Sequence, residues 1–156
     1  MTDTPQSLSD RLRDEGGRVM VFFNDLSSQQ WEIQVYKQDV EWTLHHLLAH
    51  FVSAEIGRKE LIMNVSSGGE GAPMDFNIDS YNKQDVDRLS RESNSHLLEL
   101  FFVERSSLAS FVSSLDFEAL ERVGNDPFLG AVPLVEMITL TYRHLQIHIR
   151  DARQCL

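Results

Sequence analysis

Cysteine is almost absent from this sequence: Cys155 is the only one in 156 residues. No intrachain disulfide can form and no thiolate cage can be assembled, which leaves histidines and carboxylates as metal ligands. Basic charge is also scarce. Fourteen Lys and Arg stand against 24 Asp and Glu, a formal net charge of −10. A general nucleic-acid binder needs a basic surface to displace counterions, and anionic membranes attract basic segments, so both partner classes are set aside. Long hydrophobic runs are missing as well. The run Leu97–Val103 is interrupted by Glu99 and falls far short of a membrane span. The N-terminal stretch MTDTPQSLSDRLRDEGG has no basic start followed by an apolar core, so no signal peptide is expected, and the expected location is a reducing cytoplasm.

What remains is an ordinary globular composition, 42% hydrophobic and 24% charged, in a chain long enough to bury its own core as a single domain over residues 1–156. No fixed-period repeat is visible. Helical spacing of Leu12, Val19, Phe22, Phe23 and Leu26 predicts a first helix from about Leu8 to Ser28, weakened at Gly16-Gly17. The β-formers Ile33, Val35 and Tyr36 suggest an extended connector from about Glu32 to Val40. A second helix begins near Trp42-Thr43, with Leu44, Leu47, Leu48, Phe51 and Ala54 as its buried stripe. Residues 65–80, rich in glycine, form a loop that would be either a lid or a disordered insertion. A third helix spans about Asn82 to Leu115. A turn around Gly124–Gly130 then leads to a last helix with Pro133 in its first turn. The fold class expected is all-α, an antiparallel four-helix bundle.

The chemistry concentrates on the last helix. At about 100° per residue, His148 lies about 40° from His144, on the side that carries Met137, Thr141 and Leu134. Glu136, Arg143 and Arg150 occupy the opposite, solvated flank. Residues four apart are about 5–6 Å apart at Cβ, so two inward imidazoles can converge on one ion. The bland alternative is a pair of hydrogen-bonded core histidines. On the second helix His50 occupies a comparable inward position, with His46, one turn earlier, as the rival third ligand. His45 points away from the stripe towards solvent, and His96 lies among polar residues.

The segments EWTLHHLLAHFVSAE (41–55) and YRHLQIHIRDAR (142–153), with FNIDSYN (76–82) and GNDPFLG (124–130), resemble the DinB/YfiT-like metalloenzyme family over nearly the whole chain. The resemblance implies a four-helix bundle, often dimeric, and places the metal ligands at His50, His144 and His148; His46, a further nitrogen, is where this sequence departs from the family pattern. It further implies a small-molecule substrate and either hydrolase chemistry or the use of a low-molecular-weight thiol such as bacillithiol or mycothiol.

Three neutral imidazoles leave a coordination position for water or substrate, which suits catalysis. Zinc is the first choice of metal, with nickel, iron or manganese as alternatives. Asp151 and Glu55 are the candidate acid/base or ligand-orienting carboxylates. Asp151 has a bland reading as a surface group, and Glu55 as a partner of Arg58 or Lys59. Asn82 is a candidate pocket residue, while Asp79, Ser80 and Asn82 are equally candidates to cap the third helix. Trp31 and Trp42 read as core or pocket wall. Arg143, Arg150 and Arg153 are candidate contacts for an acidic thiol. The function expected is a metal-dependent hydrolase of a small molecule. A thiol transferase and a non-catalytic binding or dimeric interaction bundle are the alternatives.

Overall fold

The computed structural model describes residues 2–156 and is mostly helical. Five helices and two small antiparallel hairpins replace the four helices expected from the sequence. Helix α1 spans Pro5–Asn24. Thr4 caps it by accepting from the Ser7 amide, and Ser7 returns the bond, so its start is fixed without frayed turns. Gly16 and Gly17 do not break it. A Cβ at Gly16 would lie 2.8 Å from Arg105 Cγ, so that glycine admits an arginine between helices.

A 3₁₀ turn at Gln30–Glu32 leads to β1 (Gln34–Tyr36), which pairs with β2 (Trp42–Thr43), so only part of the expected extended connector is strand. Helix α2 (Leu44–Ser66) starts at a second capping box. Thr43 Oγ1 accepts from the His46 amide, and His46 Nδ1 accepts from the Thr43 amide at 3.1 Å.

The expected third helix is two helices. Helix α3 is Ile78–Leu89 and helix α4 is Asn94–Ser113. Serines supply the break, because their hydroxyls compete for backbone groups. Ser90 Oγ donates to Asp87 O, and Ser93 caps α4 by accepting from the His96 amide. His45 seals the joint. Its Nε2 donates to Ser90 O at 2.7 Å and its other nitrogen meets the Asn94 amide group, so His45 is a tie between helices and not the solvent-facing residue expected. Asn77 caps α3, in place of Asp79, Ser80 or Asn82.

After a 3₁₀ turn at Phe117–Glu121, β3 (Val123–Asp126) and β4 (Gly130–Pro133) form a regular hairpin, and α5 runs from Leu134 to Cys155. Pro133 sits at the cap position, one residue before the helix.

The long helices close a ring of packings, α1 on α4, α4 on α2, α2 on α5 and α5 on α1, with α3 laid against α2. Two apolar clusters fill it. One is built on Phe22, Phe23, Trp31, Leu47, Phe51 and Phe101, the other on Leu8, Leu12, Ile62, Leu108, Leu134 and Met137. Each fully buried Leu or Phe contributes about 1.5–3 kcal/mol. Where the clusters meet along α2 and α4, Glu55 and Arg105 form a buried fork, Nε–Oε2 at 2.7 Å and Nη2–Oε1 at 2.6 Å, and Arg105 Nη1 donates to Leu12 O. No described helix is long and apolar enough to cross a membrane.

Candidate metal centre

The sequence delivers the three histidines from two helices. His50 is buried in the second turn of α2, and His144 and His148 lie one turn apart on α5, on the face packed against α2. The His50 ring centroid is 5.2 Å from that of His144 and 5.1 Å from that of His148, with the planes nearly perpendicular. One nitrogen from each ring falls within 4.8 Å of the others.

A relay fixes the tautomer of His148. The Tyr36 hydroxyl donates to Asp151 Oδ2 at 2.7 Å, and with its single proton so committed it accepts from His148 Nδ1–H at 2.7 Å. His148 Nε2 is therefore the bare nitrogen, and it faces His144 Nε2 at 2.9 Å. His50 Nδ1 is buried without any partner.

Burial holds all three rings neutral. Loss of solvation, then the neighbouring His144 and His148, pushes His50 well below the ordinary histidine value. His144 is lowered to about 3 by burial, His148 and Arg58. His148 is lowered to about 4 by burial, against the opposing pull of Asp151. The hydrogen bond from Tyr36 is the largest influence on Asp151 and keeps it low. Neutral, convergent imidazoles with an orphaned buried nitrogen are a donor set that fits a divalent cation, which would take the place of the proton shared by His144 and His148.

The centre opens onto a cavity of about 400 Å³. His50 and His144 line it, whereas His148 turns towards Tyr36. Asn82, Tyr81 and Phe76 border it from α3 and the segment before it, and Phe128 borders it from the hairpin turn, its ring 6.0 Å from that of His144. The glycine-rich segment is an ordered wall. Asn125 accepts from the Ala72 amide and donates to Glu70 O, both at 2.8 Å. At Gly71, φ is 88° and a Cβ would lie 2.5 Å from Asn125 O, so glycine is required there.

Arg58, read from sequence only as a partner for Glu55, instead anchors the hairpin. Its Nη1 meets Asp126 Oδ2 at 2.7 Å, its Nη2 donates to Met137 O, and Asp126 Oδ1 accepts from the Phe128 and Leu129 amides.

Several expected residues lie elsewhere. Both oxygens of Glu55 are taken by Arg105 and it does not line the cavity, and Lys59 pairs with Glu104 and not with Glu55. His46 is engaged in capping α2 and is not in the histidine cluster. Asp151 reaches the centre through Tyr36, which the sequence marked only as a β-former. Arg143 does not line the cavity, and Arg150 and Arg153 line a groove between α1 and α5. Trp31 stacks on Phe23, and Trp42 backs His50 at 4.9 Å.

Three histidines thus converge beside a cavity in a mostly helical frame. The chain belongs to the DinB superfamily, whose family model matches residues 11–152. Solved structures of similar fold include a mycothiol-dependent maleylpyruvate isomerase, at 18% identity and a TM-score of 0.77, with 97% of this chain and 63% of that chain covered. The chain thus spans less than two thirds of the isomerase. A Streptococcus pneumoniae protein follows at 13% identity and a TM-score of 0.74, with 100% and 93% covered. An uncharacterised protein from Clostridium difficile 630 has 12% identity and a TM-score of 0.73, with 100% and 99% covered. No curated protein matches the sequence. At these identities the structural likeness establishes the fold alone.

Proposed function

We propose that this chain is a metal-dependent enzyme in which His50, His144 and His148 hold one divalent cation, zinc first by ligand type, and which uses a low-molecular-weight thiol to act on a small molecule. The observation that carries the reading is the convergence of three neutral imidazoles on the wall of the cavity. When bound, the ion would act as a Lewis acid and favour the deprotonated form of a thiol or water beside it.

The chain's own residues supply the rest. Asp151 and Tyr36 hold His148 with Nδ1 protonated and Nε2 bare, a positioning role and not proton transfer to substrate. Asp126 and Arg58 fix the hairpin turn, so that Phe128 covers His144 and limits water. Asn82 offers an amide to whatever occupies the cavity.

The thiol reading stands ahead of the hydrolase expected from sequence because a structural relative is named as mycothiol-dependent. A hydrolase would use the same centre with water. We also read the ring of four long helices as the antiparallel four-helix bundle expected, in a single domain that dimerises.

The test is metal content of tag-free protein by inductively coupled plasma mass spectrometry, wild type against His148→Ala. About one equivalent in the wild type and little in the variant supports the centre. A wild type that stays metal-free after zinc, nickel, iron and manganese are offered overturns it. Cobalt-loaded protein titrated with mycothiol or bacillithiol then separates the chemistries. A new near-ultraviolet charge-transfer band marks thiolate ligation, and its absence returns the hydrolase to first place.

A further inference from the structure

A second cavity lies on the flank of α5 opposite the histidines. Where α1 packs along α5, the two helices leave a groove of about 480 Å³. At about 100° per residue, Tyr142, Leu145, Ile149 and Arg153 fall about 100–180° from His144, whereas His148 lies about 40° from it. The groove and the histidine cavity share no lining residue. The floor of the groove is apolar. Val19, Tyr142 and Leu145 are buried, and Ile149 packs against the same core cluster as Val19 and Leu145.

The rim is cationic, in a chain whose net charge is −10. Three arginines, Arg18, Arg150 and Arg153, stand there against one carboxylate, Glu15. Glu15 is buried, and Arg18 answers it, Nη1–Oε1 at 3.1 Å. Arg150 touches only Asp151, at 3.4 Å, where a charge-assisted bond runs to about 2.7–2.9 Å. That carboxylate already accepts the Tyr36 proton on its other oxygen. Among the described residues no carboxylate pairs with Arg153. Its guanidinium lies instead over the Phe22 ring, 5.1 Å from the centroid, which holds the charge close to the protein. One arginine is thus matched, one is weakly matched and one is unmatched. The surplus suits a single negative charge, and the planar fork of an arginine fits a carboxylate through two parallel N–H donors.

We propose that the groove between α1 and α5 is a second ligand site, which takes a small amphipathic carboxylate. Its apolar body lies on Val19, Leu145 and Ile149, and its charged head meets Arg150 and Arg153. The site rests on neither the ion nor the histidine cavity, so it stands or falls apart from the function proposed above.

The test titrates the full chain with octanoate, with 1-octanol, which lacks the charge, and with acetate, which lacks the body. Backbone amide shifts in nuclear magnetic resonance spectra give both the affinity and the place of binding. Octanoate should saturate shifts at Val19, Leu145, Ile149 and Arg153, and should bind about three- to tenfold more tightly than 1-octanol. Acetate should be weaker than octanoate by at least about tenfold, because the floor then buries almost nothing. The double variant Arg150→Gln, Arg153→Gln should bring octanoate down to the level of 1-octanol. Arg143→Gln, on the same helix but outside the groove, should change neither. Should the double variant fail to fold, salt replaces it. Going from about 0.1 M to about 1 M shortens the screening length from about 10 Å to about 3 Å, and should shrink the advantage of octanoate in the wild type. Equal affinity of octanoate and 1-octanol overturns the assignment, and so does an advantage that survives both the double variant and high salt. Shifts confined to Phe76, Phe128 and His144 would place the probe in the histidine cavity and equally overturn it. An octanoate affinity that falls as protein concentration rises would put a second copy of the chain in the groove, and that too would refute the proposal.

Discussion

Removing one oxygen atom far from the histidines in sequence should weaken metal binding. Tyr36 joins Asp151 to His148 through two hydrogen bonds of 2.7 Å. In Tyr36→Phe the His148 Nδ1–H loses its acceptor in a half-buried position. A buried donor left without a partner costs about 1–3 kcal/mol. The ring can escape that cost by moving its proton to Nε2, and the nitrogen that faces His144 is then no longer a ligand. Either route taxes the metal-bound state, and groups that orient a ligating histidine are worth about 10–100-fold in affinity. We therefore expect zinc to bind Tyr36→Phe about 10–100-fold more weakly, read by competition against a chromophoric chelator at pH 7. Asp151→Asn should produce part of the same loss, and the double variant should be little worse than Tyr36→Phe, because both residues act through one nitrogen. Zinc affinity within twofold of wild type, in a variant with a native circular dichroism spectrum, would refute the relay.

The metal-free protein should lose stability on acidification in a defined window. His144 and His148 titrate near 3 and 4 in the fold, with His50 also depressed, against an ordinary 6.5 in the unfolded chain. The unfolded state binds the extra protons, so the stability of the neutral centre is fully present above pH 6.5 and is lost as pH falls towards about 3. Melting temperatures at pH 7 and pH 5 should differ more for wild type than for His144→Leu, and equal differences would count against it.

Glu55→Ala leaves Arg105 buried and unpaired, which costs about 3–5 kcal/mol in urea unfolding, while the folded fraction retains its metal. A stable variant that loses zinc or activity would instead restore Glu55 to the chemistry. His46→Ala should cost about 1 kcal/mol through its capping bond with metal stoichiometry unchanged, and loss of the metal would make it a ligand after all. Gly71→Ala should destabilise the cavity wall, detected as faster amide exchange at Ala72 and Asn125, and unchanged protection would show that the wall does not depend on this glycine.

The histidine triad was legible in the sequence because its signal is local. Two imidazoles four apart on the inner flank of an amphipathic helix follow from helical periodicity, whereas the choice of His50 over His46 on the other helix came from the family resemblance. The first, second and last long helices were legible from the same periodicity, and the glycine-rich segment from its composition. The division of α3 from α4 was not, since Ser90 and Ser93 read as ordinary helix residues until His45 is seen joining the Ser90 carbonyl to the Asn94 side chain. Nor were the partners of the charged residues. Glu55 lies within reach of Arg58 and Lys59 along one helix, and each finds its partner on another element, at Arg105, Asp126 and Glu104.

Tyr36 and Asp151 are 115 positions apart. Periodicity within a helix determines which residues face inward. Which inward polar groups meet is decided by packing between elements, because a hydrogen bond is set by a few tenths of an ångström that no single element controls. The sequence, with its family resemblance, pointed to three inward histidines, and the tertiary structure decided that they converge and what orients them.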